Sequence, residues 1–522
     1  MQGNEHYVRQ ILNAFRANPS GIPLVHRDVP TTAGDLADSV TSAAAVMGAH
    51  AVGVGSVVGI LADPNTPATL VSRYAANLLG ATVVHLAGVN AVNPADQLSM
   101  DSQGGIAAEA APAMITVDAA NLSRARAICG TMADRPLLAG FGDLGSDVVD
   151  LTALPPDAFR PDMARSGDIA VVTYSSGSTG RPKGASWSFR VKNEMVTASA
   201  LRAQKATSLI TAPLTHTSGF AADDVMVPGG TVVLLPGFDA AEVLRAVALH
   251  RVNRLVLSAP QLYALADHPD TAQADLSSVR DLFYTGLPAS PERLAVAAKV
   301  FGPVLMQVYG TIETNMISWL LPHEHGDDAL RATVGRPLEW LQVTIRDPQD
   351  DRVLAPGESG EVCVNSPRAM DHYWHDPDQT ARTVREGWIR TGDIGHLDAA
   401  GYLHLYGRIA DVIKANGIKI YPASVERVLL EHPAVAEAVV FGVENADRLE
   451  HICAAVVLRE GMEAAPGELR KHVESLLSAN HAPTDIELRR SLPVIGPGKP
   501  DKLRLRTDAL ARLVATHGEE GA

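Results

Sequence analysis

The chain runs to 522 residues, 46% hydrophobic and 20% charged, a balance that excludes a disordered polymer and calls for two or more domains. Its 44 Lys and Arg against 59 Asp and Glu leave a formal charge of −15, which argues against a nucleic-acid-binding surface and leaves room for a local basic patch. Three cysteines far apart, Cys129, Cys363 and Cys453, form no CxxC pair, so neither a zinc site nor a disulfide framework is expected and a reducing cytoplasm suits the chain.

The N-terminal Met1-Gln2-Gly3-Asn4-Glu5-His6 has no basic stretch leading into an apolar core, so no signal peptide is expected. Residues 36–47 then read as an Ala-rich amphipathic helix, 57–61 as a buried strand, 69–79 as a second helix and 82–86 as a second strand. The most apolar stretch, 75–92, contains Asn77, His85 and Asn90, and a buried helix followed by a strand explains it without a membrane span. The apolar run 169–172 comes next, and strand 231–235, helix 241–250, strand 254–257, helix 291–300 and strand 304–308 continue the alternation. Such alternation implies parallel sheets covered by helices. From about Val334 the character changes: 343–346 and 360–364 are short strands bounded by Gly, Pro and Asp, as in a small β-subdomain. After a boundary near Gly407-Arg408-Ile409-Ala410-Asp411, segments 418–421, 425–430, 438–441, 453–458 and 469–478 read as β, α, β, β, α. The expected class is α/β, with a large N-terminal domain, 1–409, of parallel-sheet subdomains plus the β-subdomain. A small α+β domain, 410–522, follows it. Lys502, Arg504 and Arg506 read as a solvated basic face, and residues 518–522 are expected to fray.

The run Thr173-Tyr174-Ser175-Ser176-Gly177-Ser178-Thr179-Gly180-Arg181-Pro182-Lys183-Gly184 directly follows the apolar strand 169–172. Its backbone N–H groups and hydroxyls suit phosphate oxygens, and Lys183 adds a positive charge. It is not a Walker A loop, because Pro182 occupies the second glycine position of that pattern. Tyr309-Gly310-Thr311-Ile312-Glu313 follows strand 304–308: an exposed aromatic can stack on a purine, Gly310 admits close backbone approach, and Glu313 can bind Mg2+ beside phosphates. Asp393 in Thr391-Gly392-Asp393 suits the two hydroxyls of a ribose. In isolation the run 173–184 reads better as a phosphate loop than as a Gly/Ser-rich surface turn, whereas 309–313 reads better as a turn with a surface Glu and Asp393 as a turn-former.

Taken together and in this order, the motifs resemble those of the adenylate-forming superfamily of acyl-CoA synthetases, stand-alone adenylation enzymes and luciferases. The resemblance covers nearly the whole chain, from Gly55 through Gly335-Arg336-Pro337-Leu338 to Lys499. It implies nucleotide contacts from Thr173, Ser175, Ser176, Gly177, Ser178, Thr179, Gly180, Lys183, Gly286, Tyr309, Gly310, Thr311, Asp393 and Arg408, with Glu313 as the Mg2+ ligand. Pro213-Leu214-Thr215-His216-Thr217-Ser218-Gly219-Phe220 matches the segment between nucleotide and acyl pockets, where His216 would gate the arriving thiol. Thr217 stands where amino-acid-activating relatives place an Asp to pair with the substrate ammonium, so an α-amino acid is disfavoured. Lys499, in Gly496-Pro497-Gly498-Lys499, would offset repulsion between the attacking carboxylate and the α-phosphate. Lys414 and Gly417 would line the tunnel for the pantetheine arm of coenzyme A.

The implied activity is that of an acyl-CoA ligase using ATP, Mg2+ and coenzyme A, with the small domain swinging as a lid. Two positions depart from the family pattern: a phosphate-binding Thr is Ile312 here, and the charged hinge residue is Ala410. They motivate an alternative in which the protein thioesterifies a preformed acyl-adenylate supplied by a separate adenylating enzyme. Transfer to a carrier-protein thiol, and an inactive adenylate-binding regulator, are further alternatives. The chain is also similar to the acyl-CoA ligases of actinobacterial diterpenoid antibiotic pathways of the platensimycin type. Pocket residues for the acid are expected near 216–225, 284–287 and 315–319.

Overall fold

The computed structural model describes residues 6–86, 98–160, 167–175, 182–201, 205–215, 217–286, 289–415, 418–444, 450–495 and 499–519. Among them, eight strands form a first sheet in the order His372–Tyr373, Lys183–Ser188, Ile169–Ser175, Thr82–His85, Val57–Leu61, Met114–Val117, Leu137–Gly140, Val148–Asp150. From Ile169–Ser175 to Val148–Asp150 every neighbour is parallel, whereas Lys183–Ser188 and His372–Tyr373 run antiparallel. The central strands Val57–Leu61 and Thr82–His85 are buried on both faces, which is why they read as apolar runs without alternation.

A second sheet of nine strands runs Arg336–Pro337, Asn315–Leu320, Leu305–Thr311, Asp281–Thr285, Arg254–Ser258, Thr207–Ile210, Thr231–Leu234, Leu24–His26, Val29–Thr31, parallel from Leu305–Thr311 to Leu24–His26. One core joins the two sheets: Ile60 and Val83 from the first and Ile210 and Leu234 from the second pack with Leu36, Leu70, Tyr74 and Val225 of the helices between them. Helix Ala33–Ala49 encloses the segment expected as 36–47, and Pro67–Leu78 matches the one expected as 69–79 to within two residues at either end. A separate β-subdomain places Gln342–Arg346, Gly360–Asn365, Trp388–Leu397 and Val384–Arg385 side by side, with Leu403–Arg408 also paired to Trp388–Leu397.

Beyond Asp411 the chain builds two apolar clusters of its own, drawn only from residues 413 onward. Strands Val435–Glu444, Glu450–Leu458 and Asp485–Arg489 form a sheet. Helices Pro422–Glu431 and Pro466–Leu476 cover one face through Val425, Leu429 and Leu469. The helix Lys502–Glu519 covers the other through Leu505 and Ala509. That helix was not foreseen, and it differs from two expectations. Residues 518 and 519 are helical rather than frayed, and Lys502 and Arg506 turn onto Asp411 instead of facing solvent alone.

Candidate active site

Strand Leu305–Thr311 is continued past its expected end, so Tyr309 and Gly310 belong to the strand itself. It turns back antiparallel into Asn315–Leu320 with a register shift between Tyr309 and Gly310. The turn demands glycine: a Cβ on Gly310 would stand 2.0 Å from the carbonyl oxygen of Asn315. Within the turn, the hydroxyls of Thr311 and Thr314 lie 3.0 Å apart, and the Thr314 N–H donates to Thr311 Oγ1. Ile312 and Glu313 stand at its tip.

Tyr309 Oη donates to Asp393 Oδ2 at 2.6 Å, and Arg408 Nε lies 2.7 Å from Asp393 Oδ1. Strand pairing sets this arrangement, since Asp393 and Arg408 face each other across neighbouring strands. Burial, and next the Asp393 charge, push the Tyr309 phenol well above its ordinary pKa. Burial works against the Arg408 charge, but Asp393, Glu313, Tyr309 and Asp411 together raise its pKa. Asp393 thus accepts from Tyr309 and pairs with Arg408 through different carboxylate oxygens.

Glu313 lies in the same turn. Tyr373 Oη donates to Glu313 Oε1 at 2.6 Å, and the Glu313 carbonyl accepts from the Met370 N–H at 2.8 Å. Tyr373 pairs with Ala185, two residues after Lys183, and Lys183 Nζ lies 5.9 Å from the Tyr373 ring centre. Burial, then Glu313, raise the Tyr373 pKa, so this phenol stays a donor. A cation and a carboxylate flanking one phenol form a donor set that fits a phosphate oxygen and a divalent cation. No group of three or more His, Cys, Asp and Glu placed to hold a metal ion occurs among the described residues.

Ile312 turns elsewhere. It packs against the cluster of Ala185, Trp187, Val191, Met370 and Tyr373, with Phe220 and Met195 beside it. An apolar contact therefore stands where the resemblance implies a hydroxyl. Thr173 is buried and pairs with Ala185, Gly286 is exposed at the end of Asp281–Thr285, and Lys414 is an exposed strand residue whose N–H donates to Glu450. Ser176, Gly177, Ser178, Thr179, Gly180, His216 and Gly417 lie outside the described residues, as do the side chains of Ser175, Thr217 and Lys499. Among the expected pocket segments, Tyr284 is a correction: it is fully buried, with Oη 3.0 Å from His325 Nε2 and 3.2 Å from Gln307 Oε1. Ile317 likewise points into the core, whereas Phe220, Met316 and Trp319 are half-buried.

Several residues that hold the segment 213–220 escaped the sequence reading. Buried Asn65 accepts from the Leu214 N–H at 3.1 Å and donates to the carbonyls of Thr211 and Leu235. Arg73 donates to the Gly219 carbonyl, and a Cβ on Gly219 would come within 2.2 Å of the Leu214 carbonyl. Asp223, on helix Thr217–Met226, accepts from Arg73 at 2.5 Å, Tyr74 at 2.6 Å and Lys192 at 2.7 Å, all fully buried. Lys192 Nζ also lies 4.1 Å from the Phe220 ring centre. Burial, with Arg73 adding to it, brings the Lys192 pKa down to about 8. The available signal was a charged residue on the apolar side of each of three helices.

The chain matches the family model of the AMP-binding enzyme over residues 13–374 and that of the AMP-binding enzyme C-terminal domain over 424–499. It is 30% identical over 522 residues to the medium/long-chain-fatty-acid–CoA ligase FadD8 of Mycobacterium tuberculosis, covering 96% of this chain and 90% of that protein. To a feruloyl-CoA synthase of Amycolatopsis sp it is 32% identical over 492 residues, covering 93% and 95%. The structure of the amide bond synthetase McbA from Marinactinospora thermotolerans superposes with a TM-score of 0.86 at 34% identity, covering 96% of this chain and 99% of that one.

Proposed function

This chain belongs to the AMP-binding enzymes, in the acyl-CoA ligase family of ATP-dependent adenylate-forming enzymes, and on that premise we propose that it activates a carboxylic acid as its acyl-adenylate and passes the acyl group to coenzyme A. The observation that carries this reading is the convergence of Tyr309, Asp393 and Arg408, and of Glu313, Tyr373 and Lys183, about a single turn. In this reading Tyr309 flanks the adenine, Asp393 and Arg408 hold the ribose, and Lys183 with residues 175–180 holds the phosphates. A divalent cation held by Glu313 would neutralise phosphate charge. The acid's carboxylate oxygen attacks the α-phosphorus and pyrophosphate leaves. Lys499 lowers the repulsion between the two anions. The sulfur of coenzyme A then attacks the acyl carbon, and AMP departs with the oxygen it gained.

The small domain, 410–522, is proposed to act as the lid, and its separate apolar clusters support its moving as a unit. Lys414 and Gly417 would border the pantetheine arm, and His216 the path of the thiol. Packing of Ile312 into the Phe220 cluster supports a weakened adenylation step, because one hydroxyl is missing from the phosphate site.

A second reading follows from the 34% identity to an amide bond synthetase: an amine, rather than a thiol, captures the acyl-adenylate. The two readings separate in one experiment. The protein is mixed with ATP, a panel of fatty, cinnamic and hydroxybenzoic acids, and either coenzyme A or simple amines, and products are followed by mass spectrometry. Acyl-CoA formation with release of AMP supports the first reading. Amides formed while coenzyme A stays unacylated support the second, and turnover only from a supplied acyl-adenylate supports a separate adenylating partner.

A further inference from the structure

Ile409–Asp411 make one short helical turn between strand Leu403–Arg408 and strand Ile413–Ala415. Ion pairs anchor its two ends to different parts of the molecule. Before it, Arg408 is held 2.7 Å from Asp393 in the β-subdomain. At its end, Asp411 Oδ2 lies 3.1 Å from Lys502 Nζ, and Oδ1 lies 3.4 Å from Arg506 Nη2.

Lys502 and Arg506 stand one turn apart at the start of helix Lys502–Glu519, where the helix dipole disfavours cations. The Asp411 carboxylate offsets that penalty for both. The helix is itself fastened to its sheet, by Leu505 and Ala509 packed on Val439, Phe441 and Val443, and by Arg489 paired with Asp508 at 2.6 Å. Strand Lys499–Pro500 leads into this helix with only Asp501 between them, and Asp501 caps it by accepting from the Arg504 N–H at 3.0 Å.

We propose that Asp411, Lys502 and Arg506 form a latch that fastens the exit of the hinge to the base of the hairpin carrying Lys499. Swivelling is then confined to Ile409 and Ala410, and the Lys499 hairpin turns together with the hinge. Asp411 is thus a positioning residue, and the polar anchor absent at Ala410 is supplied one residue later from within the small domain. The proposal rests on the reading that Lys499 serves adenylation from a swinging small domain.

The test uses the full chain and three variants: Asp411→Asn, the double variant Lys502→Gln with Arg506→Gln, and Asp411→Glu. Tryptic cleavage after Arg408 and Lys414 reads the hinge directly. Acid-dependent ATP–pyrophosphate exchange reads adenylation, and consumption of a supplied acyl-adenylate reads transfer. Breaking the latch should speed cleavage and lower kcat for exchange, each by about fivefold, with KM for ATP unchanged and transfer unchanged. Asp411→Glu, which keeps the carboxylate, should restore both. Unaltered cleavage would overturn the latch. Faster cleavage with exchange intact, or equal losses in exchange and transfer, would overturn its link to Lys499. A parallel Lys499→Ala protein separates the two ideas: if it exchanges like wild type, the reading of Lys499 fails, while the cleavage rates still decide whether Asp411 fastens the hinge.

Discussion

Replacing Lys499 with Ala removes the cation proposed to stand between the attacking carboxylate and the α-phosphate. A contact of that kind is worth about 3–4 kcal/mol, so acid-dependent pyrophosphate exchange should fall by roughly 100- to 1,000-fold. Transfer from a supplied acyl-adenylate should change far less, and equal losses in both half-reactions would contradict the assignment. Ile312 is a balance of two effects. A threonine there would restore a hydrogen bond to a charged phosphate, worth about 1.5–3 kcal/mol. It would also surrender part of the packing against Phe220 and Trp187, on the order of 1 kcal/mol. Ile312→Thr should therefore exchange pyrophosphate about tenfold faster while melting at a slightly lower temperature. Faster melting with no gain in exchange would show that the site has compensated for the hydroxyl. At this scale the motifs single out candidates that the fold brings into contact, as Tyr309 with Asp393. The sequence was silent where a partner lies far along the chain: Tyr373 reaches Glu313 across 60 residues, and nothing local marks it.

Helix Thr217–Met226 is tied to its neighbours by a carboxylate with three buried donors, and the cost of this arrangement falls on Lys192. Its pKa of about 8, against 10.5 for a free lysine, means the unfolded chain binds the extra proton more readily between those values. Stability contributed at this site therefore rises as pH climbs from about 8 towards 10.5, and below pH 8 the charged, buried lysine costs about 3 kcal/mol relative to solution. Lys192→Met should lose that rise, and at pH 7 it should be as stable as wild type or more so. Asp223→Asn strands two buried cations and should cost about 3–5 kcal/mol. Urea melts of the three proteins at pH 7.5 and 9.5 check the ordering, and a Lys192→Met protein several kcal/mol weaker at pH 7.5 would contradict it. Elements themselves were legible in proportion to their length and apolar content. Val57–Leu61 and Ala240–His250 could be placed to within a residue, because both faces or one clear stripe had to be buried. The helix Lys502–Glu519 was hidden by its basic start, whose charges are balanced by Asp411, 91 and 95 residues earlier. Tyr284 misled for a related reason: in Asp281–Thr285 alternation is clear, but nothing local says which face meets the core.

The molecule divides its labour between a body that holds two sheets around one core and a small domain with clusters of its own. A switch between half-reactions predicts opposite signatures at opposite ends of the small domain. Gly417→Leu should spare adenylate formation and block capture by coenzyme A, the reverse of Lys499→Ala. Acyl-CoA formation at the wild-type rate would remove Gly417 from the tunnel. The order of motifs made this organisation legible before any coordinates, whereas the identity of the acid depends on how Phe220, Met316 and Trp319 share space, which spacing along a chain does not encode. The central claim is that the acid's own oxygen becomes bonded to the α-phosphorus. It is tested most directly by supplying the acid with its carboxylate labelled by heavy oxygen and weighing the AMP released during turnover. One labelled oxygen in AMP, whichever nucleophile takes the acyl group, is the predicted result; unlabelled AMP, or ADP in its place, would contradict the account.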